Sequence, residues 1–160
     1  MKIPYINLAA QWEDERSQLL PLIDAVLKTG QYVGGIEIER LEKRIAALCG
    51  VKYCVALNSG TDALVCGLIT LGVKRGDEVI TPPNSFVAST AAVTHIGAKP
   101  VFVDILADQN VDPEMIEKAI TPQTKAIMPV HLTGRMAQMA KVEAISKKYN
   151  IPIIEDAAQA

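Results

Sequence analysis

The chain has 160 residues, of which 49% are apolar, and this is enough to bury the core of a compact domain. Its 16 basic and 18 acidic residues give a formal net charge of -2 and are interspersed along the sequence. Such a charge pattern argues against an electrostatic nucleic-acid or membrane surface, and polar residues interrupt every apolar run. We therefore expect a cytoplasmic protein that acts on small molecules, with no nucleic-acid partner, membrane partner or metal site.

Two helices are predicted in the first third of the chain. Apolar residues recur at helical spacing over residues 12–28 and again over 36–48. Gly30 and Gly50 follow these segments and are typical residues for ending a helix. We interpret residues 1–52 as a helical leader.

After the leader, short β-branched runs alternate with helical segments. The predicted strands are 53–57, 78–81, 100–103, 125–130 and 151–155. Strands that are apolar on both faces and alternate with helices are typical of a parallel sheet covered by helices. The predicted fold class is therefore α/β, with a mostly parallel sheet flanked by helices in residues 53–160.

The cysteines are three in number: Cys49, Cys54 and Cys66. They lie near apolar neighbours and lack the spacing of a CxxC motif. We expect reduced thiols that are buried as small hydrophobic residues, as in a cytoplasmic protein.

A candidate anion site follows the first predicted strand. Ser59, Gly60 and Thr61 lie where a helix begins, so free backbone amides and the positive end of the helix dipole favour a phosphate. Neither the dinucleotide nor the P-loop spacing is present, which leaves a monophosphate ester as the simplest ligand. The alternative is that Ser59 or Thr61 only caps the helix.

A candidate carboxylate site follows the last predicted strand. Glu155 and Asp156 lie at its carboxyl end, where one acid can bind a metal, act as a base or pair with a cation. A carboxylate next to a pyridine nitrogen keeps that nitrogen protonated, as pyridoxal phosphate chemistry requires. The alternative is that Asp156 only caps the following turn.

Six motifs in order make the chain resemble the N-terminal half of the DegT/DnrJ/EryC1/StrS family of pyridoxal-phosphate-dependent sugar aminotransferases. They are GQYVGG at 30–35, SGTDAL at 59–64, GDEVI at 76–80, SF at 85–86, VHLTG at 130–134 and EDAAQ at 155–159. The resemblance implies that 53–160 is an incomplete large domain of the aspartate aminotransferase fold type I. It also implies pyridoxal phosphate as the cofactor.

The resemblance implies roles for residues after two of the predicted strands. Gly60, Thr61 and Asp62 match the segment that holds the cofactor phosphate. Phe86 matches the aromatic residue that stacks on the pyridine ring. Without the family, Phe86 would be interpreted as a core residue.

The resemblance also implies roles for Asp156, Gln159 and Tyr32, and His131 is a further predicted site residue because it follows a strand at the same sheet edge. Asp156 matches the acid that pairs with the ring nitrogen, and Gln159 matches the residue near the phenolic oxygen. Tyr32 and His131 are predicted substrate contacts. A histidine in the place of His131 also suits a backbone contact or a pocket wall.

The implied activity is the transfer of an amino group from an amino acid, with glutamate expected, to a nucleotide-linked keto sugar. The implied assembly is a homodimer, and the implied setting is polysaccharide or antibiotic sugar biosynthesis. In the family, the lysine that binds the cofactor aldehyde lies beyond the matched region. We therefore expect a fragment that is inactive alone and assign no catalytic residue. A sugar dehydratase of the same family and a non-catalytic cofactor-binding or regulatory module remain alternatives.

Overall fold

The computed structural model describes residues 4–160, so residues 1–3 of the predicted leader lie outside the described residues. The chain forms two compact units, of which the first ends at Ala56 and the second spans Leu57–Ala160. A domain boundary at 52/53 stays a prediction. Within residues 4–160, none of the helices combines the length and hydrophobicity needed to cross a bilayer.

Over residues 4–56, the described part of the first unit contains two α-helices. Helix α1 spans Leu8–Thr29 and begins earlier than predicted because the Asn7 side chain accepts a hydrogen bond from the third amide of the helix. Helix α2 spans Ile36–Cys49. Gly30 and Gly50 follow the two helices in the left-handed conformation, so both predicted stops are confirmed.

The prediction of a strand at 53–57 is wrong. This segment is irregular, and within the described residues no strand pairs with it. The amide of Ala56 instead donates to the Glu42 carboxylate of α2, at 2.8 Å. An apolar run forms a strand only where a neighbouring strand pairs with its backbone amides and carbonyls. Within the described residues, no strand lies beside 53–57.

The predicted burial of the cysteines is also wrong in part. All three are free thiols, but Cys49 and Cys66 are exposed, and Cys54 is only half-buried. Cys49 is the last residue of α2, and Cys66 lies on the outward face of a helix that buries its neighbours two positions away on each side. The apolar sequence neighbours of Cys49 and Cys66 therefore did not indicate which face of its helix each of these two thiols occupies.

The second unit is a three-stranded parallel sheet with helices between its strands. In chain order its elements are α3 (Gly60–Thr70), β1 (Glu78–Thr81), α4 (Val87–His95), β2 (Lys99–Phe102), α5 (Pro113–Ala119), β3 (Thr124–Ile127), a short 3-10 turn (Leu132–Gly134) and α6 (Met139–Tyr149). The sheet order is β2-β1-β3, and both strand pairs are parallel. The predicted α/β class with a parallel sheet is confirmed.

The sheet is covered by apolar side chains on both faces. Alternation along β1 sends Val79 into one cluster, which also contains Leu68 and Val93 from α3 and α4. The next residue, Ile80, packs in the other cluster, together with residues of α5 and α6 such as Val142. The central strand β1 is consequently buried on both faces, as the sequence pattern indicated, whereas Lys99 and Phe102 of the edge strand β2 are exposed.

The predicted strand at 151–155 forms only isolated bridges. Ile153 pairs with Ile127, and Asp156 pairs with Val130, both in parallel orientation. Pro152 has no amide hydrogen to donate, so a continuous ladder cannot form. The segment nevertheless runs beside β3 and places Asp156 at the carboxyl edge of the sheet.

A buried asparagine joins two loops at this carboxyl edge. Asn110 is 0% exposed, and its side chain donates to the Arg135 carbonyl (3.2 Å) and accepts from the Leu132 amide (3.3 Å). The Asn110 amide itself donates to Asp108, at 3.0 Å. The loop after β2 is therefore held to the loop after β3 by a side chain whose polar groups are paired.

A carboxylate joins the elements at the opposite edge. Glu78, the first residue of β1, accepts from the Thr121 hydroxyl at 2.6 Å and from the Lys99 ammonium of β2 at 3.1 Å. These two contacts, the Thr121 hydrogen bond first, hold the pKa of the Glu78 carboxyl below its usual range. The charged form of Glu78 thus stabilises the folded state.

Replacing Asn110 is expected to destabilise the second unit. Asn110→Ala leaves the Leu132 amide and the Arg135 carbonyl without this partner and removes a fully buried side chain, and we expect a loss of about 1–3 kcal/mol in the free energy of unfolding. Urea denaturation followed by circular dichroism measures this loss. The control is Asn84→Ala, because Asn84 is exposed and makes a single side-chain hydrogen bond, to the Gln109 carbonyl. Equal losses in the two variants would contradict the role given to Asn110.

Replacing Glu78 is expected to remove a pH-dependent part of the stability. A carboxyl with a lowered pKa contributes stability that is present above its unfolded pKa, about 4.5, and is lost as the pH falls through the folded pKa. The Glu78→Gln variant should therefore be less stable than the wild type at neutral pH, by about 1 kcal/mol or less. Urea midpoints measured from neutral to acidic pH should converge. A difference that persists unchanged in acid would contradict this account.

Candidate functional site

A concave pocket of about 350 Å³ lies at the carboxyl edge of the second unit. It is lined by the start of α3, the start of α4 and the segment after residue 154. Four of the predicted site residues line it: Gly60, Thr61, Phe86 and Asp156. Parallel strands bring their carboxyl ends to one edge, which is why residues distant in sequence meet here.

The start of α3 offers unpaired amides to this pocket. Ser59 caps the helix, because its hydroxyl oxygen accepts from the Asp62 amide at 3.1 Å. Within residues 4–160, no acceptor bonds to the amides of Gly60 and Thr61. The space where a Cβ of Gly60 would stand is open to at least 4 Å. Capping and anion binding are therefore compatible at this corner, and they use different amides.

Asp62 is the predicted site residue of α3 that does not line the pocket. Its carboxylate accepts from the Ser59 hydroxyl at 3.1 Å, so the two residues bond reciprocally around the first turn. The acid also lies in the first turn of the helix, where the dipole favours a negative charge. In the described structure Asp62 stabilises the corner rather than facing the pocket.

Asp156 is a buried carboxylate in the pocket wall, only 7% exposed. One oxygen accepts from the Ser89 hydroxyl at 2.7 Å, and the other accepts from the Ala158 amide at 3.2 Å. Asp156 thus caps the following turn, as the alternative interpretation proposed. Each carboxylate oxygen has a second lone pair, so capacity for another donor remains.

Phe86 precedes α4 and lines the same pocket. Its side chain is 72% exposed, so the interpretation of Phe86 as a core residue is wrong. A ring that is exposed on the wall of a pocket is available to stack on a planar ligand.

His131 lies at the same edge but does not line the pocket. It is 4% exposed, its Nδ1 accepts from the Ala137 amide at 3.2 Å, and Nε2 lies 2.7 Å from a Glu155 carboxylate oxygen. Because an amide can only donate, the ring proton is on Nε2 and is donated to Glu155. His131 therefore positions Glu155, which does line the pocket. A substrate contact of His131 stays a prediction.

Gln159 and Tyr32 lie outside the set of residues that line the pocket. The Gln159 side-chain oxygen accepts from the Thr133 amide at 2.6 Å and so holds the turn after β3. Tyr32 belongs to the first unit, where it is 68% exposed and its hydroxyl donates to the Leu27 carbonyl at 3.4 Å. The roles that the family resemblance implies for these two residues stay predictions.

Sequence analysis missed Ser89, which donates to Asp156. The available signal was a serine in the first turn of α4, four positions after Ser85. The partner of Ser89 is 67 residues away, so no local pattern indicates this contact.

The pocket contains no lysine among the residues that line it. No group of three metal-ligating side chains is formed by the part of the chain that the structure describes. The described pocket therefore supplies amides, an aromatic ring and carboxylates, but no amine that can bind an aldehyde.

Replacing His131 is expected to cost stability, whereas replacing its partner is not. His131→Ala leaves the Ala137 amide unpaired in a buried place and opens a cavity, with an expected loss of about 2–4 kcal/mol. Glu155→Gln keeps an oxygen that accepts from Nε2, and we expect a change within about 0.5 kcal/mol. Urea denaturation of both variants measures the difference. A large loss in Glu155→Gln would contradict the assigned hydrogen bond.

Comparison with curated proteins gives close relatives. The chain is 48% identical over 158 residues to UDP-2-acetamido-2-deoxy-3-oxo-D-glucuronate aminotransferase of Pseudomonas aeruginosa, an alignment that covers 98% of this chain and 44% of that protein. The chain thus spans less than half the length of this relative.

Solved structures with the same fold include two at about 40% identity. S. venezuelae DesV superimposes with a TM-score of 0.96 at 42% identity, covering 99% of this chain and 43% of DesV. NtdA from Bacillus subtilis, solved with its bound cofactor PMP, superimposes with a TM-score of 0.95 at 40% identity, covering 99% of this chain and 37% of NtdA. The fold is therefore that of the large domain of these enzymes, represented in part.

The sequence was also compared with models of protein families. Residues 13–160, which are nearly the entire chain, match the model of one aminotransferase family. The chain belongs to the DegT/DnrJ/EryC1/StrS aminotransferase family.

Proposed function

We propose that the second unit forms part of the pyridoxal phosphate site of an aminotransferase. The supporting observation is that one pocket combines unpaired amides of a helix start, an exposed aromatic ring and a buried carboxylate. These are the three groups needed for a phosphate, a planar ring and a pyridine nitrogen. The residues present therefore fit this cofactor.

In this proposal, the amides of Gly60 and Thr61 bind the phosphate, with the Thr61 hydroxyl as a further donor. The α3 dipole favours the negative charge at this place. Phe86 packs against one face of the pyridine ring and excludes water from it. Asp62 contributes indirectly, because its bond to Ser59 holds the first turn in place.

With the cofactor bound, Asp156 would pair with the ring nitrogen and keep it protonated. When bound, the cofactor supplies a ring that takes up negative charge from the substrate carbon during amino transfer. A buried carboxylate suits this role because its charge is poorly screened by solvent. Gln159, which holds the turn after β3, would lie near the phenolic oxygen of the bound cofactor.

The proposed substrates are a nucleotide-linked keto sugar as acceptor and an amino acid, glutamate, as donor. Tyr32 and His131 are proposed substrate contacts. We further propose a homodimer in the cytoplasm. Support for the sugar acceptor comes from the similarity to the P. aeruginosa UDP-2-acetamido-2-deoxy-3-oxo-D-glucuronate aminotransferase. The direct test is an assay of the protein that carries this chain for amino transfer from glutamate to UDP- and dTDP-linked keto sugars, and no transfer to any of them would contradict the proposed activity.

The chain is expected to bind pyridoxamine phosphate, which needs no lysine. Asp156→Ala removes the partner of the ring nitrogen, and we expect the dissociation constant to rise about 10-fold or more, because a hydrogen bond between charged groups is lost. Isothermal titration calorimetry with pyridoxamine phosphate measures it. Thr61→Val should weaken binding of inorganic phosphate and pyridoxamine phosphate alike.

The matched control for Thr61→Val is Thr70→Val at the other end of α3, where the hydroxyl bonds to the Cys66 carbonyl. This variant should bind as the wild type does. Comparable affinity for pyridoxal phosphate and pyridoxamine phosphate is expected, since no lysine lines the pocket. Absence of binding of both by the wild type would contradict the proposed site.

A further inference from the structure

We propose that Ser89 is a positioning residue that holds the Asp156 carboxylate toward the pocket, in a hydroxyl chain that begins at Ser85. The inference rests on the proposed function for what the carboxylate faces. The supporting contacts lie within the second unit and do not depend on a ligand. They are two short hydrogen bonds between buried or half-buried groups, and the number of hydroxyl protons determines their direction.

The two contacts form a continuous chain. The Ser85 and Ser89 hydroxyl oxygens are 2.7 Å apart, and the Ser89 oxygen is 2.7 Å from Asp156 Oδ2. Ser85 is half-buried, and Ser89 is 1% exposed. Both distances are at the mode for hydrogen bonds between oxygen atoms.

The proton count determines the direction of both hydrogen bonds. A carboxylate only accepts, so the one hydroxyl proton of Ser89 is donated to Asp156. Ser85 must then be the donor to Ser89, although the distance alone leaves that bond undirected. A hydroxyl that receives one hydrogen bond donates the next more strongly, so Ser85 strengthens the hold of Ser89 on the carboxylate.

The carboxylate is held on both oxygens and from both sides. Ser89 donates to Oδ2, and the Ala158 amide donates to Oδ1 at 3.2 Å. Ser89 is also the third residue of α4, so the negative charge lies beside the positive end of that helix. Rotation of the carboxylate about χ1 would break the Ser89 bond, which is the shorter of the two.

Ser89 acts through Asp156 and not on a ligand. Its side chain is absent from the residues that line the pocket, whereas Asp156 lines it. Phe86 follows Ser85 directly and also lines the pocket, so the same short segment supplies the aromatic wall and the support of the carboxylate.

The first experiment needs no ligand. Three-bond couplings of the Asp156 carboxyl carbon, measured by nuclear magnetic resonance on the labelled chain, report its χ1 rotamer. We expect one rotamer in the wild type, averaging over two or more in Ser89→Ala, and recovery of one rotamer in Ser89→Thr, which keeps the hydroxyl. The control is Thr94→Ala, since Thr94 lies in α4 but donates to the Ala91 carbonyl away from the site.

The second experiment uses pyridoxamine phosphate labelled with nitrogen-15 in the ring. The ring nitrogen signal distinguishes the protonated from the neutral ring at neutral pH. In Ser89→Ala we expect a smaller protonated fraction and a dissociation constant raised about three- to tenfold, as for one weakened hydrogen bond to a charged group. Ser89→Thr and Thr94→Ala should match the wild type.

The outcomes separate this inference from the proposed function. Suppose that the wild type binds no pyridoxamine phosphate, but that the Asp156 couplings differ between the wild type and Ser89→Ala. The cofactor proposal then fails, whereas the proposal that Ser89 positions the carboxylate is supported. A single Asp156 rotamer in Ser89→Ala overturns the inference even where the cofactor binds. If Ser89→Ala does not fold, Ser85→Ala decides instead. We expect it to move the couplings in the same direction by a smaller amount, and no movement overturns the inference.

Discussion

The structure of the site depends on the backbone pairing between residues 127–131, which begin at the end of β3, and the segment that ends at Asp156. The Ile154 amide donates to the Ile127 carbonyl, and the Asp156 amide donates to the Pro129 carbonyl, each at 3.0 Å. The Asp156 carbonyl then accepts from the His131 amide, also at 3.0 Å. These bonds fix the backbone position of Asp156. The hydrogen bonds of its carboxylate then determine only the direction of the side chain.

The pocket follows from this pairing because parallel strands place all their outgoing loops at one edge. The walls are helix starts rather than helix faces, and helix starts carry free amides. The apolar cluster on one face of the sheet holds α3 and α4 against it, which fixes the distance between the α3 amides and Asp156. Packing that is unrelated to chemistry thus sets the geometry on which the proposed chemistry depends.

Much of this arrangement could be predicted from the sequence, and the failures have physical causes. Glycines after 29 and 49 indicated where two helices end, and β-branched runs located β1, β2 and β3 to within a few residues. The apolar run at 53–57 was not a strand, because pairing depends on a neighbour that local sequence does not show. The Ser89 contact was missed for a similar reason, since its partner lies on another element.

Structural and functional interpretations of the same residue were treated as alternatives, but at two corners the hydrogen-bond count allows both. Ser59 caps α3 through one amide and leaves those of Gly60 and Thr61 unpaired. Asp156 caps the following turn and receives the Ser89 proton, yet its two oxygens retain lone pairs. A residue that caps a helix or turn can therefore belong to a binding site as well. The deciding points are which donors and acceptors the cap leaves unpaired and whether they lie in a pocket. Here Gly60, Thr61 and Asp156 line the same pocket.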